Sequence, residues 1–101
     1  MSSSHIKSED IECKETDKGV LSKDILSDDK GFKIRFFKLE AGAVIPFHSH
    51  SAREYDYVLD GVISDETGEY KKGDLVVNEK GSEHSITAGS EGAEFLVLWS
   101  E

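Results

Sequence analysis

Apolar residues along this chain come in short runs, each closed by residues that favour turns. In "FKIRFFKLE", Phe32, Ile34 and Phe36 alternate with Lys33 and Arg35, the period of two that marks a half-buried β-strand. Before it stands "GVLSKDIL". After it come "AVIPFHSH", "EYDYVLDG", "VIS", "EYK", "LVVN", "HSIT" and "EFLVLWS". The segments between them, such as "SDDKG", "EAG", "SDETG", "KKGD", "EKGSE" and "AGSEGA", are turn-formers, and most of the nine glycines lie there. Nothing after Asp24 has a helical period. Pro46 sits inside a run, which suits an edge strand or a strand entry. Short β-branched and aromatic runs at near-regular spacing predict an all-β sandwich or barrel.

Residues 1–18 do not fit this pattern. They are polar and charge-mixed, and read as an N-terminal arm that orders on docking or stays partly disordered. Residues 19–101 then form a single domain, with a core that is small for independent stability. The formal net charge is −9. That excludes the usual nucleic-acid and anionic-membrane partners, which need Lys and Arg to neutralise phosphate. No apolar run is long enough to span a bilayer. The start, "MSSSHIKSEDIE", lacks the apolar stretch of a secretory signal. The single cysteine, Cys13, cannot form an intrachain disulfide. The expectation is a soluble, cytoplasmic protein. His5 and Cys13 read as incidental, because no zinc-type spacing accompanies them.

Only four histidines occur, and two of them, His48 and His50, are one residue apart. In a strand, residues i and i+2 share a face and lie roughly 6–7 Å apart. Ser49 points away while the two imidazoles lean toward one point. Glu54 keeps the same parity, and a bend through Ser51–Arg53 brings it back. Two histidines and a carboxylate hold one side of a metal ion and leave the other side open. His84 opens its own run after "KGSE". If that run lies opposite the first pair in a barrel, it completes a site of three histidines and one glutamate. Asp56 shares parity with Glu54 and is expected to point inward. There it would either orient a ligand histidine or accept a proton from a substrate. Tyr55, Tyr57 and Leu59 would then face outward, onto a second subunit.

These residues also carry a family resemblance. Gly42, His48, His50, Glu54 and Gly61 match in spacing the first motif of the cupins. Gly73, Gly81 and His84 match the second, with Glu79 in place of its usual proline and Ala88 in place of its usual asparagine. From Val20 to Trp99 the chain resembles a small single-domain cupin. It is similar to the cupin domain of ChrR-type anti-sigma factors and to acetylacetone-type dioxygenases. The resemblance implies an RmlC-like jelly-roll barrel, a double-stranded β-helix of two antiparallel sheets. It also implies His48, His50, Glu54 and His84 as ligands of one divalent transition metal per chain, with Fe, Mn, Ni, Co, Cu and Zn all compatible. The paired ligands of an anti-sigma zinc domain are absent from the arm.

Two functions follow as expectations. One is a mononuclear metal-dependent enzyme of dioxygenase type acting on a small molecule, with Asp56 as its catalytic residue. The other is a non-catalytic metal-binding sensor or ligand-binding module. A homodimer is expected in either case.

Overall fold

A computed structural model describes residues 2–101. After a short 3-10 turn at Ser8–Asp10 come eight strands: β1 (Lys14–Asp17), β2 (Val20–Ser27), β3 (Phe32–Leu39), β4 (Val44–Ser49), β5 (Glu54–Asp65), β6 (Gly68–Lys71), β7 (Leu75–Asn78) and β8 (Glu83–Ser100). Every pairing is antiparallel. The main path runs β1-β2-β3-β8-β5-β6, with β4 added on β8 and β7 on β5. The all-β jelly-roll expectation holds.

Two pairs of predicted runs are fused. "EYDYVLDG" and "VIS" form the single strand β5, and "HSIT" and "EFLVLWS" form the single strand β8. Glycine bends each strand without ending it. Gly61 has φ +72 and Gly92 has φ +76, conformations that residues with a Cβ adopt at a cost. The two glycines also face a crowded corner. A Cβ on Gly61 would collide with the carbonyl oxygen of Gly92, and one on Gly92 would lie 2.6 Å from the carbonyl oxygen of Leu39. The first half of β8 pairs with β4 and the end of β5; its second half pairs with β3 and the start of β5. The long strands therefore pass from one layer to the other, as jelly-roll corners do.

The layers enclose one core. Val58, Phe95 and Val97 come from one layer, and Ile63, Ile86 and Ala88 from the other. Phe37 stacks on Phe95 with ring centroids 5.1 Å apart. Each large side chain removed from water here contributes about 1.5–3 kcal/mol. In β3 the inner face carries Arg35, Phe37 and Leu39, opposite buried Val97, Phe95 and Ala93 of β8. The more regular apolar set, Phe32, Ile34 and Phe36, lies on the outer face.

The arm contributes more than its composition predicts. Lys14–Asp17 pairs with β2 as a strand in which every residue is exposed. A strand that buries no side chain leaves no hydrophobic period. Ladder hydrogen bonds hold it, and the side-chain pattern cannot show them.

Candidate metal centre

Pro46 and a register irregularity place His48 on β4, which pairs only with β8 among the described strands. Pro46 can sit there because an edge strand leaves its missing N–H without a partner to satisfy. His48 then faces His84 directly across the β4–β8 ladder. The strand bearing His84 is thus the hydrogen-bonded neighbour of the His-x-His segment, not a strand across the barrel from it. The ladder continues past β4: the N–H of His50 donates to Ser82 O (3.0 Å) and the N–H of Gly81 to His50 O (2.8 Å). Three imidazoles meet as a result, with ring centroids 4.5–5.0 Å apart and rings nearly perpendicular. One ligating nitrogen from each of His48, His50 and His84 lies within 4.8 Å of the other two.

Hydrogen bonds identify those nitrogens. Nδ1 of His48 lies 2.8 Å from the carbonyl oxygen of Pro46. Nδ1 of His50 lies 2.9 Å from both the carbonyl oxygen and Oγ of Ser82. Nδ1 of His84 lies 3.3 Å from Oδ2 of Asp65. Carbonyls and carboxylates only accept, so each Nδ1 carries a proton, which in the neutral imidazole leaves the lone pair on Nε2. The Nε2 atoms of His50 and His84 stand 3.1 Å apart. Two lone pairs at that distance repel unless a cation or proton sits between them. The donor set therefore fits a metal: three imidazoles, each oriented from behind with its Nε2 toward the same point. Burial pushes the His84 pKa down, the Asp65 bond offsets this in part, and the charges of His50 and His48 lower it further. His84 is held in the neutral form that ligates.

The carboxylates divide differently from the sequence reading. Glu54 lines the same cavity, but its oxygens are not among the converging donors. Asp56 points inward as expected and is 2% exposed. Its partner, however, is Asn78, whose Nδ2 donates to Oδ2 at 2.9 Å, while Oδ1 is buried without any partner. Burial raises the Asp56 pKa to about 7. Asn78 opposes that rise, and the charges of Glu54 and Asp65 add to it. The carboxylate that holds a histidine is Asp65, from the "SDETG" hairpin. Its Oδ1 accepts from the N–H and Oγ1 of Thr67, the N–H of Gly68 and the hydroxyl of Tyr70. Burial works to raise its pKa, but these bonds outweigh it and keep the group below the usual carboxylate range. The sequence marks Asp65 as a turn residue. Nothing in it shows that the second oxygen reaches a histidine 19 positions away. Ser82 and Asn78 carry no signal beyond neighbouring the second motif. His5 and Cys13 lie outside the cluster.

Beside the imidazoles opens a cavity of about 300 Å³. Ile45, Ile86, Phe37, Phe95, Val97 and Trp99 give it an apolar wall, and Arg35, Glu54 and Asp56 add charge. Over residues 1–100 the sequence matches the family described as the ChrR cupin-like domain. The chain belongs to this cupin family. No curated protein gives a significant match. Among solved structures, this cupin is similar to KdgF from a Halomonas species, with TM-score 0.87 and 19% identity over 98% of this chain and 94% of that one. It is similar to a chain of the Rhodobacter sphaeroides complex of SigE with the anti-sigma ChrR, with TM-score 0.83 and 23% identity. That match covers 93% of this chain and 52% of the other, so the cupin spans about half the length of that relative. A putative acetylacetone dioxygenase from Methylibium petroleiphilum is similar at TM-score 0.83 and 13% identity, over 99% of this chain and 78% of that one. At these identities the likeness shows the fold.

Proposed function

We propose that this cupin binds one divalent transition metal per chain and is a mononuclear enzyme of dioxygenase type acting on a small molecule. The observation that carries the reading is the pairing of three convergent Nε2 atoms with an adjoining cavity. A purely structural metal is enclosed by its ligands, whereas a working one keeps a face open to a ligand. When bound, the metal supplies Lewis acidity and open coordination positions. His48, His50 and His84 would hold it, and Glu54, which lines the same cavity, would have to turn toward them to join as the fourth ligand and offset its charge. Asp56, with an unpartnered oxygen beside the cavity, takes the proton that a bound small molecule gives up. The likeness to a putative acetylacetone dioxygenase supports a 1,3-diketone as the first substrate to try. The outer apolar stripe supports a homodimer. A lone cysteine, unable to form an intrachain disulfide, suits the reducing cytoplasm.

The family match favours a second reading, in which the cupin holds metal and ligand without turnover, as a sensor or binding module. Elemental analysis of untagged protein, followed by oxygen consumption with a panel of 1,3-diketones, separates the two. Consumption that tracks loss of the diketone supports the enzyme. Stoichiometric metal with no turnover supports the module. Equal metal content in wild type and His50→Ala would sink both.

A further inference from the structure

We propose that the ligand of the cavity carries a carboxylate and that Arg35 receives it. The inference rests on the reading of His48, His50 and His84 as a metal centre with a ligand cavity, and it specifies the class of molecule that enters.

Arg35 occupies a position that packing alone does not explain. It shares the inner face of β3 with Phe37 and Leu39 and stands across the ladder from buried Val97. Arg35 is one of the residues that line the cavity with His48 and His84, and on its other side it borders a surface hollow with Asp24. Its guanidinium lies 5.2 Å from the ring centroid of Trp99, another wall residue. Its one hydrogen bond leaves from Nε, to Oδ1 of Asp24 at 2.6 Å. Among the described residues its two Nη atoms make no hydrogen bond. An ion pair this exposed adds little stability and leaves the Nη–H donors unused. A planar fork with free Nη–H groups matches a carboxylate.

The charges around it point the same way. Arg35 is the one permanent cation among the described wall residues, and it pairs with none of the cavity carboxylates, Glu54, Asp56 and Glu101. Glu101 is taken up by Lys33, at 3.5 Å. Without a metal, Glu54 and Asp56 stand against one arginine and disfavour an anion. A divalent cation on the histidines cancels that excess, so the carboxylate is captured together with the metal. A cavity of about 300 Å³ admits only a small molecule. An oxo or hydroxy acid fits, with its oxygen toward the histidines and its carboxylate on Arg35.

The test is anaerobic calorimetric titration of the full chain, metal-loaded and metal-free. Acetoacetate is set against methyl acetoacetate, and levulinate against methyl levulinate. In metal-loaded wild type each acid binds roughly 10- to 100-fold tighter than its ester, the range of a charge-assisted hydrogen bond. Arg35→Gln removes that preference, and Arg35→Lys, which keeps the charge, retains part of it. Metal content and melting temperature stay at wild-type levels in both. Asp24→Asn removes only the ion pair and keeps the preference. Acid and ester binding alike in wild type, a preference that survives Arg35→Gln, or equal loss in Asp24→Asn would each overturn the contact. A chain that takes up no metal fails the metal reading. The carboxylate proposal needs the cation to offset Glu54 and Asp56, so in that case it falls with the metal reading, whereas metal uptake without an acid preference overturns the carboxylate proposal alone.

Discussion

Single side chains set the chemistry of this cupin, and their roles separate by substitution. His50→Ala and His84→Ala each remove one of three converging nitrogens, so metal per chain should fall steeply, while His5→Ala leaves it unchanged. Glu54→Gln should lower affinity without unfolding the barrel. Asp65→Asn keeps an oxygen near Nδ1 of His84 but loses the charge behind it. Metal affinity should fall roughly 10- to 100-fold, the usual effect of a partner one bond behind a ligand. Retention of metal by His84→Ala would mean that the site lies elsewhere. Metal affinity should also fall in acid, because a protonated imidazole has no lone pair left for the metal. Asp56 gives a separate pH signature in chelated protein. Its pKa rises from 3.8 to about 7 on folding, so its contribution is fully favourable below 3.8 and is lost as pH rises toward 7. The slope is at most about 1.4 kcal/mol per pH unit. Asp56→Asn cannot ionise. Its stability relative to wild type, read by urea unfolding, should therefore increase between pH 4.5 and 7, and a constant difference would refute the buried ionisation.

At the scale of elements, the two long strands depend on their glycine corners. Gly61→Ala and Gly92→Ala combine left-handed strain of roughly 1–2 kcal/mol with a backbone collision. Gly42 has φ +72, but a Cβ there would meet no atom within 4 Å, so it carries the strain alone. Denaturant unfolding should therefore rank Gly42→Ala as the mildest of the three. Equal losses would remove the close approach from the explanation. The corners matter to the site because Gly92 lies between the half of β8 that presents His84 and the half that forms the cavity wall with Phe95, Val97 and Trp99.

The whole molecule exposes an apolar face that a lone copy leaves wet. Tyr57 is 41% exposed, Leu75 55% and Val77 42%, and β5 and β7 place them side by side, with Tyr55 opposite Val77 and Tyr57 opposite Leu75. Leu98 and Leu96 of β8 continue the rows on the other side of β5. Contiguous exposed apolar surface of this kind marks a contact site. A second copy covering it would bury the stripe that parity predicted at Tyr55 and Tyr57. Sedimentation should show a dimer at micromolar concentration. Leu75→Glu should convert it to monomer with metal content unchanged. A wild-type monomer, or a dimer indifferent to Leu75→Glu, would count against this face.

Features that depend on near neighbours were legible in the order of residues. A period of two and frequent turn-formers specified an all-β chain, because backbone alternation and turn chemistry act over a few residues. His48 and His50 share a face for the same reason, and motif spacing pointed to Glu54 and His84. Features that depend on distant partners came only with the folded chain. The fold made His84 the cross-strand neighbour of His48 through a register that no local pattern encodes. It brought Asp65 behind His84, and Ser82 behind His50 across 32 positions. It also chose the inner face of β3, where Arg35, Phe37 and Leu39 won over the more regular Phe32, Ile34 and Phe36. Alternation defines two faces of a strand, but only the packing of the opposing layer decides which one is buried.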